Sequence, residues 1–187
     1  MAWRVAKSLE KLLAQINAAA PNRSTISDGA IGDAAHATRD SDHNPWVKDG
    51  STGVVTARDY THDPSKGADM NKLTENLRNS KDTRIKYVIW NRQMFSSYTA
   101  HGYSPFAWRP YSGSNPHTKH AHVSVQPQKY LYDNTKAWRI AQPKPKWHLR
   151  ATKNDRERKA VYATWDKARE WIRERAKAGW KVVARKR

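Results

Sequence analysis

The chain has 187 residues, which is enough for one ordinary domain and a small appendage. It contains no cysteine, so disulfide scaffolds, thiolate metal sites, Fe–S clusters and cysteine nucleophiles are excluded, and any metal site must use histidine and carboxylate ligands. The 35 Lys and Arg residues exceed the 17 Asp and Glu residues, and the net charge of +18 predicts a polyanionic partner: nucleic acid, teichoic acid, lipopolysaccharide or an anionic membrane face.

The first predicted element is an amphipathic helix over residues 4–19, ended by Pro21. Charged residues, beginning with Arg4 and Lys7, interrupt this apolar stretch, so it lacks the uninterrupted apolar region of a signal peptide. The sequence also lacks an apolar run of about 18 residues that would predict a membrane span. We therefore expect a protein that is synthesised in the cytoplasm without a signal peptide.

The middle of the chain mixes predicted strands and helices without a regular βαβ rhythm, which favours the α+β class. Residues 22–46 are rich in Ser, Asp, Gly and Ala and show no periodicity, so they predict a long ordered loop, and such loops usually carry function. The elements predicted after it are a strand over 53–60, a helix around 67–80, a strand over 85–91, an irregular stretch over 93–115 and a strand over 120–125.

The composition changes near residue 141. Pro143 and Pro145 predict a stiff linker over 141–146, which separates a first domain, 1–140, from a C-terminal module, 147–187. Residues 144–187 carry a net charge of +11, so most of the basicity lies in this part. Its alternating and helical patterns predict a ββαβ mini-domain that contains several tryptophans.

Two segments of the first domain are chemically distinctive. One carries His43 and Asp59, and the other carries His117, His120 and His122. In a strand, residues two apart point to the same face, so His120 and His122 would project together. A catalytic zinc ion typically takes three histidine or carboxylate ligands and keeps one position open, and His43, Asp59 and His122 would supply that set.

This pattern, S-x-H at Ser41 and His43, A-x-D at Ala57 and Asp59, then H-x-H, resembles the zinc peptidases of the D-Ala-D-Ala carboxypeptidase and hedgehog fold. The three clustered histidines look most like the penicillin-insensitive murein endopeptidase branch. The resemblance covers roughly residues 22–126. It implies a small antiparallel-sheet peptidase domain with flanking helices that hydrolyses peptide bonds in bacterial peptidoglycan.

The resemblance also implies roles for individual residues. His43, Asp59 and His122 would bind Zn²⁺, His120 would act as the general base or electrostatic helper, and His117 would support the site or contact the substrate. Zinc would polarise the scissile carbonyl and lower the pKa of water, and an imidazole beside it is suited to moving the proton. Arg39, four residues before His43, could hold the oxyanion or a substrate carboxylate.

The chain departs from the family pattern at two points. Sixteen positions separate His43 from Asp59, whereas the usual motif is S-x-H-x6-D, so the intervening residues must be looped out. Other branches place a carboxylate three residues before the last ligand, where this chain has Lys119. Lys119 cannot act as a carboxylate base, so only the H-x-H variant fits.

The expected function is that of a bacteriophage endolysin, which another factor delivers to the cell wall. The basic module would bind an anionic wall polymer, by attraction that salt should screen. The first alternative is a rolling-circle replication nuclease, in which His120 and His122 both bind the metal, Tyr130 or Tyr98 attacks the phosphate, and nucleic acid is the partner. The second is a wall-binding or nucleic-acid-binding protein with a degenerate site. The pattern leaves open which peptide bond is cleaved.

Overall fold

A computed structural model describes residues 2–32, 40–140, 147–162 and 165–186. The chain divides into two compact units, Met1–Ala141 and Gln142–Arg187. The predicted linker, 141–146, lies outside the described residues. Among the helices that are described, none is long and apolar enough to cross a membrane.

The first unit is built around an antiparallel sheet of five strands in the order β4-β8-β5-β6-β7. Buried apolar residues alternate along β8, as Ala121, Val123 and Val125, and they pack in one core with Val88 and Phe95. The strands of this sheet are β4 (Ala57–Thr61), β5 (Ile85–Trp90), β6 (Gln93–Ser96), β7 (Arg109–Pro110) and β8 (His120–Val125).

A second, three-stranded sheet has the order β1-β3-β2, with β1 parallel to β3. Its strands are β1 (Trp3–Val5), β2 (Val47–Asp49) and β3 (Thr52–Val55). The helix predicted over 4–19 was therefore wrong at its start, because Arg4 and Val5 pair with Val54 and Val55 instead of continuing the helix.

The strand predicted over 53–60 is two strands that belong to different sheets. The break lies at Thr56, whose N–H donates to the carbonyl of Asp42 at 3.0 Å and whose carbonyl accepts from Val125. The irregular stretch predicted over 93–115 was also wrong in part, since it contains β6 and β7. These strands are short and polar at their ends, so they carry little periodicity.

In the described part of the first unit, three α-helices accompany the sheets: α1 (Lys7–Ala19), α2 (Met70–Ser80) and α3 (Lys129–Tyr132). A 3-10 turn spans Pro64–Lys66. Helix α1 buries Leu9, Leu12 and Ile16 in the core of the sheet. Helix α2 begins at Asp69, whose carboxylate accepts a hydrogen bond from the N–H of Asn71 and so caps the first turn.

The second unit has the order β9 (Trp147–Lys153), β10 (Arg156–Tyr162), α4 (Trp165–Lys177) and β11 (Lys181–Lys186). Strand β9 lies between β10 and β11, and both pairings are antiparallel. The unit has its own small core, formed by Leu149, Ala151, Ala168 and Trp171. The described residues thus contain three sheets and four α-helices, and the predicted α+β class is confirmed.

Candidate metal centre

The antiparallel pairing of β4 with β8 brings two of the predicted ligands together. Asp59 lies directly opposite His122 in the register, so both side chains leave the same face of the sheet. The Oδ1 atom of Asp59 is 3.1 Å from Nδ1 of His122. His122 is buried, and its ring is stacked on that of Tyr87, with 5.4 Å between the ring centroids.

His43 reaches the same point from a turn that precedes β2. Its Nδ1 donates a hydrogen bond of 2.5 Å to the carbonyl of Ala30, which directs Nε2 toward the sheet. Nε2 lies 3.1 Å from Nδ1 of His122 and 3.5 Å from Oδ1 of Asp59. The sixteen-position separation of His43 from Asp59 is taken up by strands β2 and β3, which lie between them in the chain.

Two connections to the sheet hold the loop that carries His43. The carboxylate of Asp42 accepts two hydrogen bonds of 2.8 Å from Nζ of Lys86 on β5. Gly29 and Asp59 exchange both backbone hydrogen bonds, so the segment before the loop pairs with β4 at the position of the carboxylate ligand. The loop that carries His43 is therefore anchored to β4, which carries Asp59, and to β5, which pairs with the strand of His122.

The three side chains offer one donor atom each, and these atoms lie within 4.8 Å of one another. Two imidazole nitrogens and a carboxylate oxygen that face one another bring electron pairs into a small buried volume, which a shared proton or a cation stabilises. The arrangement of His43, Asp59 and His122 is compatible with a bound metal ion.

The electrostatics favour the metal-binding forms of Asp59 and His122, whereas they favour the protonated form of His43, from which a metal ion would have to displace the proton. Burial alone raises the pKa of Asp59, but the hydrogen bonds and charges of His122 and His43 hold this pKa far below its usual range, so the carboxylate is ionised. Burial lowers the pKa of His122, although Asp59 opposes the shift. Burial also lowers the pKa of His43, but Asp59 and the Ala30 carbonyl outweigh it and leave the pKa raised.

His120 lies beside this cluster on β8, opposite Thr61. Its Nε2 is 3.6 Å from Oδ2 of Asp59, which is too long for a hydrogen bond. Within the part of the chain that the structure describes, this buried nitrogen has no hydrogen-bond partner. An unpaired buried nitrogen is costly, so we expect a water molecule, an ion or a ligand atom to contact it.

His117 precedes β8 in a left-handed turn with a φ of 51°. Its Nδ1 donates to the carbonyl of Asn115 at 2.7 Å, and its ring packs edge to face on His120, with centroids 5.1 Å apart. Burial and the charges of His122 and His120 lower the pKa of His117 to about 4, so the ring is neutral at pH 7. Asp59, His117 and His120 also bring donor atoms within 4.8 Å of one another, so Asp59 is shared by two possible sets of ligands.

A cavity of about 230 Å³ opens over the cluster. Two tyrosines that the sequence analysis did not single out line it, Tyr87 from β5 and Tyr111 from the chain after β7. Tyr87 stands in an apolar run of the sequence. Its hydroxyl needs a polar partner when it is buried, and this requirement could have indicated a residue of the site. Tyr111 lies in an irregular stretch whose sequence carries no such signal.

Arg39, the residue predicted to hold the oxyanion or a substrate carboxylate, lies outside the described residues. Tyr98 and Tyr130, the candidate nucleophiles of the nuclease alternative, are exposed and do not line the cavity.

Comparison of the chain with family models, with curated proteins and with solved structures finds no match in any of the three.

Proposed function

We propose that the chain is a zinc-dependent peptidase that hydrolyses peptide bonds in bacterial peptidoglycan, in the manner of an endolysin. The observation that carries this proposal is the convergence of His43, Asp59 and His122 from three separate segments on one buried point, at the floor of a cavity. Three protein ligands with an open side are typical of catalytic zinc sites, whereas structural zinc sites usually have four.

The distances between the donor atoms are compatible with zinc as the metal. Two ligands that are each about 2.0–2.1 Å from a tetrahedral zinc ion are separated by about 3.3 Å. The three donor pairs of His43, Asp59 and His122 are separated by 3.1, 3.1 and 3.5 Å. The ligands are thus spaced for a tetrahedral ion without rearrangement of the strands.

When bound, zinc would supply a Lewis acid for the scissile carbonyl and lower the pKa of water. The chain's own residues would then orient the substrate and move the proton. His120 lies close to the second oxygen of Asp59 and has an unpaired nitrogen, so it is placed to take a proton from the attacking water and deliver it to the leaving amine. His117 packs against His120 and limits the orientations of its ring.

The positive charge of the C-terminal unit favours a substrate that lies in an anionic cell wall. We propose that it binds a wall polymer and holds the peptidase unit at its substrate, after another factor has released the protein from the cytoplasm in which it is made. This role requires no contact between the unit and the scissile peptide, and it leaves the identity of the cleaved bond to the cavity of the first unit.

The test is digestion of purified sacculi by the full-length protein, with mass spectrometry of the released muropeptides. We expect new amino and carboxyl termini at one peptide bond, loss of activity with a chelator and recovery with zinc. Release of sugar fragments without cleaved peptides, or cleavage that is insensitive to chelation, would contradict the proposal. The products also identify the bond.

A further inference from the structure

The C-terminal sheet has one face covered by α4 and one open face. Leu149 and Ala151 of β9 point toward the helix and are buried with Trp171. The alternate residues of the same strand, His148 and Arg150, point to the other side and are exposed. Within the C-terminal unit, none of the described residues forms a second layer over this open face.

The registers of the three strands place cations across the open face. Lys159 of β10 is opposite Arg150, Arg185 of β11 is opposite His148, and Lys181 of β11 is opposite Thr152. The face therefore carries four Lys and Arg side chains, and its one carboxylate is Glu157. Its charge is strongly positive over a width of only three strands.

This arrangement does not favour the stability of the sheet itself. Lys159 and Arg150 are like charges placed directly opposite each other, which destabilises a strand pair. Glu157 pairs with both of them and offsets part of the repulsion. Among the described residues, Lys181 and Arg185 pair with no carboxylate, so both remain available to an anionic ligand.

The open face also has a shape and an apolar component. Val161 and Val183 are 53% and 46% exposed, and they border a shallow depression of about 550 Å³ together with Arg150, Lys159 and Arg185. Along β11, two cations flank a valine, with roughly 6.7 Å from each residue to the next on this face, whereas the same face of β10 carries Glu157, Lys159 and Val161 in that order. This volume lies in the range of pockets that hold a drug-sized molecule, so the depression can hold a short segment of a single polymer strand.

The chemistry of the face distinguishes among single-stranded polyanions. Proteins that bind single-stranded nucleic acids commonly stack bases on aromatic side chains. Trp147 and Trp180 pack on the helix side of the sheet, against the small core, and among the described residues no Trp, Tyr or Phe lies on the open face. The alternation of cations with short aliphatic side chains suits a polymer of phosphates joined by short carbon chains.

We infer that the open face of the β10-β9-β11 sheet binds a polyol-phosphate wall polymer, with Arg150, Lys159, Lys181 and Arg185 contacting its phosphates. The inference rests on the proposed function for its choice of a wall polymer over other phosphate chains. In this inference, the cations of the open face attract the polymer, rather than the net charge of the whole C-terminal unit.

The test compares two full-length variants that each lose three positive charges. In the face variant, Lys159→Gln, Lys181→Gln and Arg185→Gln are combined, and in the control, Lys167→Gln, Arg169→Gln and Arg173→Gln neutralise exposed positions of α4. Binding of purified poly(glycerol phosphate) is measured by calorimetry over a range of salt concentrations. We expect the face variant to lose about tenfold or more in affinity at low salt and its salt slope to fall by about two to three, with much smaller changes in the control.

Equal weakening of both variants would overturn the assignment to the open face. Tighter binding of wild-type protein to a DNA duplex or to oligo(dT) than to the polymer would overturn the assignment of the partner. Hydrolysis of soluble muropeptides is measured on the same proteins. If the polymer binds through this face but no muropeptide is cleaved, the docking inference stands and the proposed peptidase function fails.

Discussion

The hydroxyl of Ser124 lies 2.9 Å from Nε2 of His122, two residues away on the same strand. Both residues are buried, and the contact leaves the other ring nitrogen, Nδ1, facing Asp59 and His43. Residues two apart in a strand share a face, so β8 itself supplies both the candidate ligand His122 and the hydroxyl that orients its ring. Such outer contacts fix the ring of a metal-binding histidine.

The first prediction concerns this hydroxyl. We expect Ser124→Ala to weaken metal binding by roughly 10–100-fold, because the imidazole of His122 loses the partner that fixes its orientation. Ser96→Ala is the matched control, since Ser96 is equally buried in the same sheet but its hydroxyl contacts Arg109 and Tyr98. Competition with a chromogenic chelator measures both affinities. Equal affinities in the two variants would show that Ser124 does not orient the ligand.

The second prediction concerns the ligand set. His122→Ala should bind zinc more than about 100-fold more weakly, because it removes a ligand and not only an orienting group. His101→Asn is the control: His101 is exposed and has a φ of 52°, a conformation that asparagine tolerates. Metal analysis after dialysis gives the stoichiometry. Full occupancy in His122→Ala would contradict the assignment and point to Asp59, His117 and His120 as the ligands.

The third prediction separates proton transfer from metal binding. His120→Ala should retain zinc and lose peptidase activity by roughly 10²–10⁴-fold, the usual effect of removing a general base. Zinc content and the rate of muropeptide cleavage are measured on the same sample. Activity at the wild-type level would show that the base lies elsewhere, and His117 would be the next residue to replace.

The sequence alone predicts the strand that carries the site. HAHVSV alternates clearly, and β8 spans the same residues, His120–Val125, that the pattern indicates. The relation of His43 to Asp59 could not be predicted in this way, because it depends on long-range pairing. Strands β2 and β3 lie between them in the chain, and the chain changes sheets at Thr56.

At the start of the chain, the hydrophobic periodicity predicted a helix where the structure has a strand. Val5 continues the helical spacing of Leu9 and Leu12, yet it lies in β1 opposite Val55. Residues near a terminus that have a helical pattern can instead pair with a strand that is distant in the sequence. A local pattern contains no information about that partner strand. Tyr111 was missed for a similar reason, since it reaches the cavity only through the folding of an irregular segment.

The fourth prediction concerns the division of the chain. A protein ending at Gln142 should fold, bind zinc and cleave soluble muropeptides, because the core and the metal cluster lie within Met1–Ala141. It should bind intact walls less tightly than the full-length protein at low salt, and the difference should shrink at high salt as charges are screened. Sedimentation with purified walls measures binding, and circular dichroism checks folding. Equal wall binding by the two proteins would refute the targeting role.

The last prediction concerns acid stability. Asp28 accepts two hydrogen bonds from the buried guanidinium of Arg23 and two from Thr61, beside the Gly29–Asp59 pairing. Burial raises the pKa of Asp28, but these partners outweigh burial and leave the pKa lowered in the folded protein. The ionised Asp28 therefore stabilises the fold above the usual carboxyl pKa of about 3.9. This stabilisation is lost as the pH falls through the pKa of Asp28 in the folded protein. Asp28→Asn should reduce the free energy of unfolding by about 3–5 kcal/mol at pH 7, because Arg23 is left buried without its counter-ion.

Urea unfolding should show this difference shrinking below pH 4, whereas the exposed Asp40→Asn control should differ little from wild type at either pH. A pH-independent difference would contradict the role of the Asp28 charge.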